Sequence, residues 1–255
     1  MNAENTWFLI LTFKYPDGLG RLLVSLRETN FPMSMVKVIL NGVNMDEYKE
    51  VLSEFKRDLL DKNILSWPHN MGCYRAYNNG IMSIPPTDYF VLCNDDVVIK
   101  DERWMEAFYS EMNELVGVVG IKQRHTLGAR EIVDNRRIMS CCLLNPVAVR
   151  KVGLFDERYN YWWGDIQYWC RIHASGFRIK SIETPYIEHE ISHTFDLLHA
   201  AREPWALWDA YCFNSYYQAQ NPEWCENLDL PVRDIATEVK QFLTHKIKWS
   251  LPQQI

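Results

Sequence analysis

Apolar and polar residues follow two alternating patterns over the first 120 residues. Continuous apolar runs predict strands that are buried on both faces of a sheet. The segments between them repeat apolar residues at helical spacing, as Leu19, Leu22 and Leu26 do. The predicted strands are WFLILTF (7–13), VKVIL (36–40), NILSW (63–67), DYFVLC (88–93) and VGVVGI (116–121). This alternation predicts an α/β protein with a doubly wound, mostly parallel sheet that is flanked by helices.

The pattern becomes less regular from about Ile138. Shorter strands come first, followed by a helix predicted over about 165–174 and a strand in GFRIKSI. The last fifty residues have a helical pattern that is interrupted by prolines. We therefore predict one main domain over residues 1–200 and a helical extension over residues 201–255 that packs on it.

The composition is that of an ordinary globular protein. The 27 Lys and Arg against 33 Asp and Glu give a net charge of -6, so no global basic field attracts nucleic acid or anionic membrane. The seven cysteines are odd in number and form no CxxC pair, which predicts reduced thiols. No apolar run approaches the roughly 18 residues of a membrane span. We therefore expect a cytoplasmic protein.

Polar residues follow the predicted strands where those strands end. Right-handed crossovers place the carboxyl ends of parallel strands at one rim of the sheet, where ligands bind. The residues predicted at this rim are Thr12, Lys14, Asn41, His69, Asn70, Asn94, Asp95 and Asp96. Adjacent carboxylates at a strand end suit Mg²⁺ or Mn²⁺, which often bridge to a phosphate. The alternative is that Asp95 or Asp96 only caps a turn.

Asp165 opens a predicted helix directly after Gly164. A carboxylate there can be a general base if its placement is right, or it can simply stabilise the helix N-terminus. Aromatic residues crowd the same segment: Tyr159, Tyr161, Trp162, Trp163, Tyr168 and Trp169. Sugar rings stack on such side chains, so we expect an acceptor platform that includes Trp162 and Trp163; packing in the core is the alternative.

The segment HEISH, His189 to His193, matches the HExxH pattern of zinc peptidases. In that pattern two histidines one helical turn apart bind zinc and the glutamate is the base. No third ligand follows at the expected spacing, and residues 185–187 look like the end of a strand. Ordinary structural histidines are therefore the stronger interpretation.

Four segments together resemble a known family. They are ILTFK (10–14), HNMGCYRAYNNGI (69–81), NDD (94–96), and GLFDERY followed by WWGDIQYWCRI (153–172). In this order and spacing they resemble the inverting GT-A glycosyltransferases of family two, from about Trp7 to about Thr194. The resemblance implies a Rossmann-like GT-A catalytic domain over residues 1–200 that uses a nucleoside-diphosphate sugar and Mn²⁺ or Mg²⁺.

The resemblance also implies roles for individual residues. Asp96 corresponds to the carboxylate ligand of the metal, His189 to a ligand of the metal or the diphosphate, and Asp165 to the base. Asn78 corresponds to a structural support of its loop. The residues that correspond to the donor side are Thr12, Lys14, Asn41, Asn70, Arg75 and Asp95. Transfer would go to an acceptor hydroxyl with inversion at the anomeric carbon.

Three positions depart from the family pattern. Leu40 stands where many members carry an aspartate that reads the nucleotide base. Gly164 replaces the glutamate before the base, and Gln167 replaces the second acidic residue after it. Asp165 therefore carries the base assignment alone, and a non-catalytic sugar-nucleotide or glycan-binding module remains an alternative.

The acceptor has two candidate classes. Most members of the family build surface polysaccharide or lipopolysaccharide at the inner face of the membrane, and the amphipathic segment 235–249 could lie on that membrane or pack on the domain. The second class is hydroxymethylated bases of phage DNA. The arginines that could contact its phosphates are Arg124, Arg130, Arg136 and Arg137.

Overall fold

The computed structural model describes residues 5–127, 130–134, 139–161, 163–190, 209 and 212, with the backbone alone for residues 123–127 and 130–134. Several predictions made from the sequence concern residues outside these ranges. Trp162, His193, the segment 235–249 and, apart from Asp209 and Cys212, the extension 201–255 lie outside the described residues. The same holds for the side chains of the four arginines that could contact DNA.

Strands and helices alternate through most of the described chain. The strands are β1 (Thr6–Thr12), β2 (Val36–Asn41), β3 (Ile64–Trp67), β4 (Tyr89–Asn94), β5 (Val97–Ile99), β6 (Val116–Ile121), β7 (Gln123–Leu127), β8 (Arg130–Asp134), β9 (Cys141–Leu144), β10 (Arg178–Ile182) and β11 (Ile187–His189). The helices are α1 (Pro16–Glu28), α2 (Met45–Glu54), α3 (Cys73–Met82), α4 (Trp104–Glu111), α5 (Pro146–Val152) and α6 (Gly164–Ala174). Each of the five strands predicted from apolar runs is present.

Seven strands form one sheet in the order β10-β6-β9-β4-β1-β2-β3. The strands β1, β2, β3 and β4 run parallel to one another, and β10 is parallel to β6. Only β9 runs antiparallel, between β4 and β6. The predicted mostly parallel, doubly wound sheet is confirmed. The carboxyl ends of β1, β2, β4 and β6 consequently lie at one rim.

Both faces of the sheet are covered by helices. Phe8 and Ile10 of β1 belong to one apolar cluster, which includes residues of α1, α2 and α4. Leu9, between them, belongs to the other cluster, which includes residues of α3 and α6. Successive side chains of a strand point to opposite faces, so burial on both faces requires the uninterrupted apolar run seen in the sequence.

A short ribbon adds to the rim beyond the main sheet. Strand β5 begins directly after Asp96 and pairs antiparallel with β11, so that His189 lies opposite Val97. This pairing brings the end of β11 beside the acidic pair that follows β4. The ribbon therefore joins two distant segments of the sequence at the candidate site.

Two expectations from composition can be compared with the described chain. Its six cysteines are free thiols, as the odd count and the spacing predicted. Among the described helices, none is both long enough and apolar enough to cross a membrane.

Candidate active site

Asp95 and Asp96 occupy the turn between β4 and β5. Their exposed fractions are only 6% and 4%. The backbone N–H of Phe13 donates a hydrogen bond to Asp95 Oδ2 at 3.3 Å. Burial raises the pKa of Asp95 to about 7, while hydrogen bonds from Thr12 and the Phe13 N–H lower it. A positive charge at this point of the rim would stabilise the ionised forms of these two buried, neighbouring carboxylates.

A buried tyrosine fixes the turn that follows β1. The Tyr48 hydroxyl lies 3.0 Å from Thr12 Oγ1 and accepts a hydrogen bond from the Tyr15 N–H at 2.9 Å. Burial raises the pKa of Tyr48 to about 12, so it stays protonated at neutral pH. Lys14, between these contacts, is exposed and has a left-handed backbone with φ of 55°. The contact of Tyr48 with Thr12 was not predicted from the sequence.

His189 lies beside Asp96, as the resemblance implied. The distance between His189 Nε2 and Asp96 Oδ1 is 3.3 Å. The Glu190 N–H donates to the Asp96 carbonyl at 2.8 Å, which fixes the end of β11 on the acidic turn. Asp96 Oδ1 is buried and accepts no hydrogen bond from any described residue. An orphaned carboxylate oxygen beside an imidazole nitrogen fits a divalent cation.

The described residues do not form a complete metal cage by themselves. No group of three or more His, Cys, Asp or Glu side chains in this part of the chain is arranged to hold a metal ion. A cation at Asp96 and His189 would therefore need further ligands, such as diphosphate oxygens or water.

The zinc-peptidase interpretation of HEISH is wrong. It requires a helix through His189, and His189 instead ends strand β11. Glu190, which would be the base, forms an ion pair with Arg21 at 2.5 Å. The five-letter pattern is a chance match. A zinc site also needs a helix that brings the two histidines to one face, and five letters do not specify that helix.

Asn41 and Asn70 bind each other and fix the turn before α3. The Asn41 amide donates to Asn70 Oδ1 at 3.0 Å and to the Gly72 carbonyl at 3.3 Å, and it accepts from the Met71 N–H at 2.9 Å. Asn70 Oδ1 also accepts from the Gly72 N–H. Both amide N–H groups of Asn41 are committed within this turn, so they could donate to a nucleotide only if one of these bonds were replaced.

Helix α3 also holds the loop that leads to Asp165. Asn78 accepts from the Phe155 N–H at 2.9 Å and donates to the Phe155 carbonyl at 3.0 Å, so its expected structural role is confirmed. Arg75 donates to Glu157 Oε2 at 2.9 Å. The buried Asp209 accepts from the backbone N–H groups of Asn160 and Tyr161, a contact that sequence reasoning missed.

Two tyrosines of α3 connect Asp165 with the acidic segment. Asp165 is half-buried in the first turn of α6, and the Tyr74 hydroxyl lies 3.4 Å from its Oδ1. Tyr77, three positions further along α3, donates to Asn94 Oδ1 at 3.0 Å. Residues three apart lie on one face of a helix, so α3 braces the predicted base and the predicted metal segment together.

The family model described as glycosyl transferase family 2 matches residues 7–184. The chain belongs to this family. The matched range contains Asp95, Asp96 and Asp165, and it ends before His189.

Individual relatives of this family-2 chain are distant. The O-antigen biosynthesis protein RfbC of Myxococcus xanthus is 24% identical over 244 residues, which cover 77% of this chain but only 19% of that protein. The mannosyltransferase PcManGT of Pyrobaculum calidifontis, solved with GDP-Man and Mn²⁺, has a TM-score of 0.59 at 11% identity and covers 80% of this chain and 62% of that chain. The structure of S. aureus TarS 1–349 has a TM-score of 0.57 at 13% identity, and the match covers 94% of this chain and 78% of that chain. These similarities confirm the GT-A fold.

The three departures of this family-2 chain from the expected motifs lie at buried positions. Leu40 is fully buried within an apolar cluster, so its side chain does not face a nucleotide. Gln167 is also buried, and its Oε1 has no hydrogen-bond partner among the described residues. A Cβ on Gly164 would lie 2.4 Å from a ring carbon of Tyr74. The Tyr74 ring thus fills the space that a side chain at position 164 would need.

The aromatic segment around Asp165 is mostly core. Tyr159, Tyr168 and Trp169 are almost completely buried, so the expectation that they belong to an acceptor platform is wrong. Phe155 stacks on Tyr168, with 4.0 Å between the ring centroids. Helical spacing turns Tyr168 and Trp169 inward. Tyr161 and Trp163 remain half-buried, and they are the rings of this segment that the structure leaves partly open.

We expect Gly164→Ala to destabilise the protein, because its new Cβ would clash with the buried Tyr74 ring. Overpacking of this kind costs about 1–3 kcal/mol. Urea denaturation would measure the loss. Gly20→Ala is the matched control within α1, because its Cβ would meet only Val51 at an ordinary 3.7 Å. That change should raise stability by about 0.5–1 kcal/mol. Equal stability of the Gly164→Ala variant and the parent would contradict the clash.

Proposed function

We propose that this chain is a metal-dependent, inverting glycosyltransferase that moves a sugar from a nucleoside-diphosphate sugar to an acceptor hydroxyl. The observation that carries the proposal is the pairing of the orphaned Asp96 Oδ1 with His189 Nε2 in a family-2 chain. The acidic pair lies at the rim where ligands of such sheets bind. The half-buried Asp165 is linked to the same region through α3.

The metal in this proposal is Mn²⁺ or Mg²⁺, held by Asp96 and His189. When bound, such an ion neutralises the negative charge that develops on the leaving diphosphate. Support comes from PcManGT, solved with GDP-Man and Mn²⁺, and from TarS, solved with UDP-GlcNAc. Both have the fold of this chain.

The donor side would be formed by the rim of β1, β2 and β4. Asp95, Thr12 and Lys14 lie at or just beyond the ends of β1 and β4. Asn41 and Asn70 would act by shaping the turn before α3, since their amides bind each other. Arg75, exposed on α3, already pairs with Glu157, and a phosphate would compete with that carboxylate.

Asp165 is the base in this mechanism. Its carboxylate takes the proton of the acceptor hydroxyl, and the freed oxygen pair attacks the anomeric carbon. The bond between the anomeric carbon and the diphosphate oxygen breaks, and its electron pair leaves with the diphosphate. Because the attack comes from the face opposite the leaving group, the configuration inverts. An ordinary carboxylate suffices because correct placement matters more here than a shifted pKa.

The acceptor that we propose is a glycan or a lipopolysaccharide-type molecule. The relative RfbC carries the name of an O-antigen biosynthesis protein, and O-antigen is a glycan. The location that the sequence favours, the cytoplasm or the inner face of the membrane, belongs to this same proposal.

A thermal-shift screen of UDP, GDP, ADP and dTDP, each with Mn²⁺ or with EDTA, tests the donor side. We expect one diphosphate to raise the Tm only when Mn²⁺ is present, because a ligand that binds the native state stabilises it. At a concentration 100 times the Kd the gain is about 2.7 kcal/mol. If no diphosphate shifts the Tm in the presence of Mn²⁺, the proposal fails. Binding without any sugar transfer would favour a non-catalytic binding module.

We expect Trp163→Ala to raise the acceptor KM while leaving the donor KM unchanged. Loss of a stacked aromatic ring costs about 1 kcal/mol, or roughly fivefold in affinity. Steady-state kinetics with each substrate varied in turn would measure this difference. An unchanged acceptor KM would assign Trp163 to packing alone.

A further inference from the structure

We propose that Tyr74 is the positioning residue of Asp165 and that its ring takes the place of the glutamate that Gly164 replaces. The inference rests on the proposed function, in which Asp165 is the base. It adds a residue that lies 91 positions away in the sequence and belongs to a different helix.

The Tyr74 hydroxyl lies between two parts of the segment that carries the base. It is 3.4 Å from Asp165 Oδ1 and 3.3 Å from the Tyr161 carbonyl oxygen. One hydroxyl thus contacts the side chain of Asp165 and the backbone of the loop before α6.

This hydroxyl is a permanent donor. Burial and the nearby Asp165 carboxylate raise the pKa of Tyr74 well above its usual range. A phenol has one proton to donate, and an ionised carboxylate is a stronger acceptor than a carbonyl. The proton therefore points to Asp165 while Asp165 is charged. Once Asp165 has taken the proton of the acceptor, the Tyr74 proton can turn to the Tyr161 carbonyl.

The ring that carries this hydroxyl is tightly held. Tyr74 is only 2% exposed. Its ring centroid lies 5.5 Å from that of Phe155 and 6.5 Å from that of Tyr159, the latter edge-on. On a third side it packs against Gly164, where no side chain intervenes. A hydroxyl fixed in this way can hold a carboxylate within the narrow geometry that proton transfer requires.

The start of α3 is tied to the same loop. The Cys73 N–H donates to the Asn160 carbonyl at 2.7 Å, and Asp209 holds Asn160 and Tyr161 from the other side. Tyr74 and the loop before Asp165 are therefore fixed relative to each other by backbone contacts. This argues against a chance approach of two mobile side chains.

Tyr74→Phe removes the hydroxyl and keeps the ring that fills the space above Gly164. We expect kcat to fall about tenfold, the effect of losing one hydrogen bond to a charged group. The donor KM and the Mn²⁺-dependent thermal shift should not change. The acidic limb of the pH–rate profile should move to higher pH, because a hydrogen bond to a carboxylate favours its charged form.

Tyr168→Phe is the matched control. Tyr168 is also a buried tyrosine of this cluster, but its hydroxyl donates to the Gly153 carbonyl at 2.7 Å. It should lose similar stability in urea and keep the kcat and pH profile of the parent. Equal losses of kcat in the two variants, or a parent-like kcat and pH profile in Tyr74→Phe, would overturn the proposal.

Separate measurements test the proposed function and the positioning role of Tyr74. If the parent binds no nucleoside diphosphate and transfers no sugar, the proposed function fails. A crystal structure of Tyr74→Phe then still tests the positioning role, without any activity measurement. We expect the Asp165 side chain to change rotamer or become disordered there. An Asp165 carboxylate that keeps its place contradicts the inference.

Discussion

Asp165→Asn is expected to abolish sugar transfer and to leave donor binding intact. The amide keeps the size of the carboxylate but cannot accept the proton of the acceptor hydroxyl. Loss of a general base lowers the rate by about 10²–10⁴-fold. Donor binding should persist because the acidic pair lies on a separate turn, between β4 and β5. Transfer rates and the Mn²⁺-dependent thermal shift with the bound diphosphate would measure the two effects separately.

A helix-terminal carboxylate can also act through stability alone, and Asp46→Asn controls for this. Asp46 is the second residue of α2, as Asp165 is of α6, and it is exposed. Its loss should cost only about 0.3–1 kcal/mol of stability through the helix dipole. Activity should remain that of the parent. Full transfer activity in Asp165→Asn would refute its assignment as the base.

Asp96→Ala is expected to show the opposite pattern, with the loss of metal-dependent donor binding. The substitution removes the buried Oδ1 that faces His189. Even loss of a residue that only supports a metal ligand lowers metal affinity about 10–100-fold, so loss of the ligand itself should cost at least that much. The Tm shift produced by the diphosphate and Mn²⁺ should therefore disappear at concentrations that saturate the parent.

Asp88→Ala, at the other end of β4, is the matched control for Asp96→Ala. Asp88 directly precedes this strand and accepts a hydrogen bond from Trp7 Nε1 at 3.1 Å. Asp88→Ala should keep the full Mn²⁺-dependent shift, whatever it costs in stability. If Asp96→Ala keeps that shift as well, Asp96 is not a metal ligand.

The rim and its acidic pair could be predicted from sequence because both follow from local pattern. A strand such as β4 that is buried on both faces must be an unbroken apolar run, and a parallel sheet fixes where its carboxyl end lies. Asp95 and Asp96, directly after that run, were therefore placed correctly at the rim. The family resemblance added His189, whose contact with Asp96 depends on the pairing of β5 with β11.

The tyrosines and Asp209 could not be predicted, because their roles depend on long-range contacts. Tyr48 and Tyr74 occur at ordinary helical spacing, which indicates core residues, and both are buried. Only the folded chain shows that their hydroxyls reach Thr12 and Asp165, 36 and 91 positions away. The same ambiguity caused the error over Tyr168, whose position beside Asp165 in sequence suggested exposure to an acceptor.

The contact between Tyr74 and Gly164 also has an evolutionary consequence. A side chain gained at position 164 would collide with the tyrosine ring. A small residue gained at position 74 would leave a cavity beside Asp165 and remove the hydroxyl. The two positions therefore cannot drift independently. Across homologues, glycine at position 164 should occur together with tyrosine at position 74.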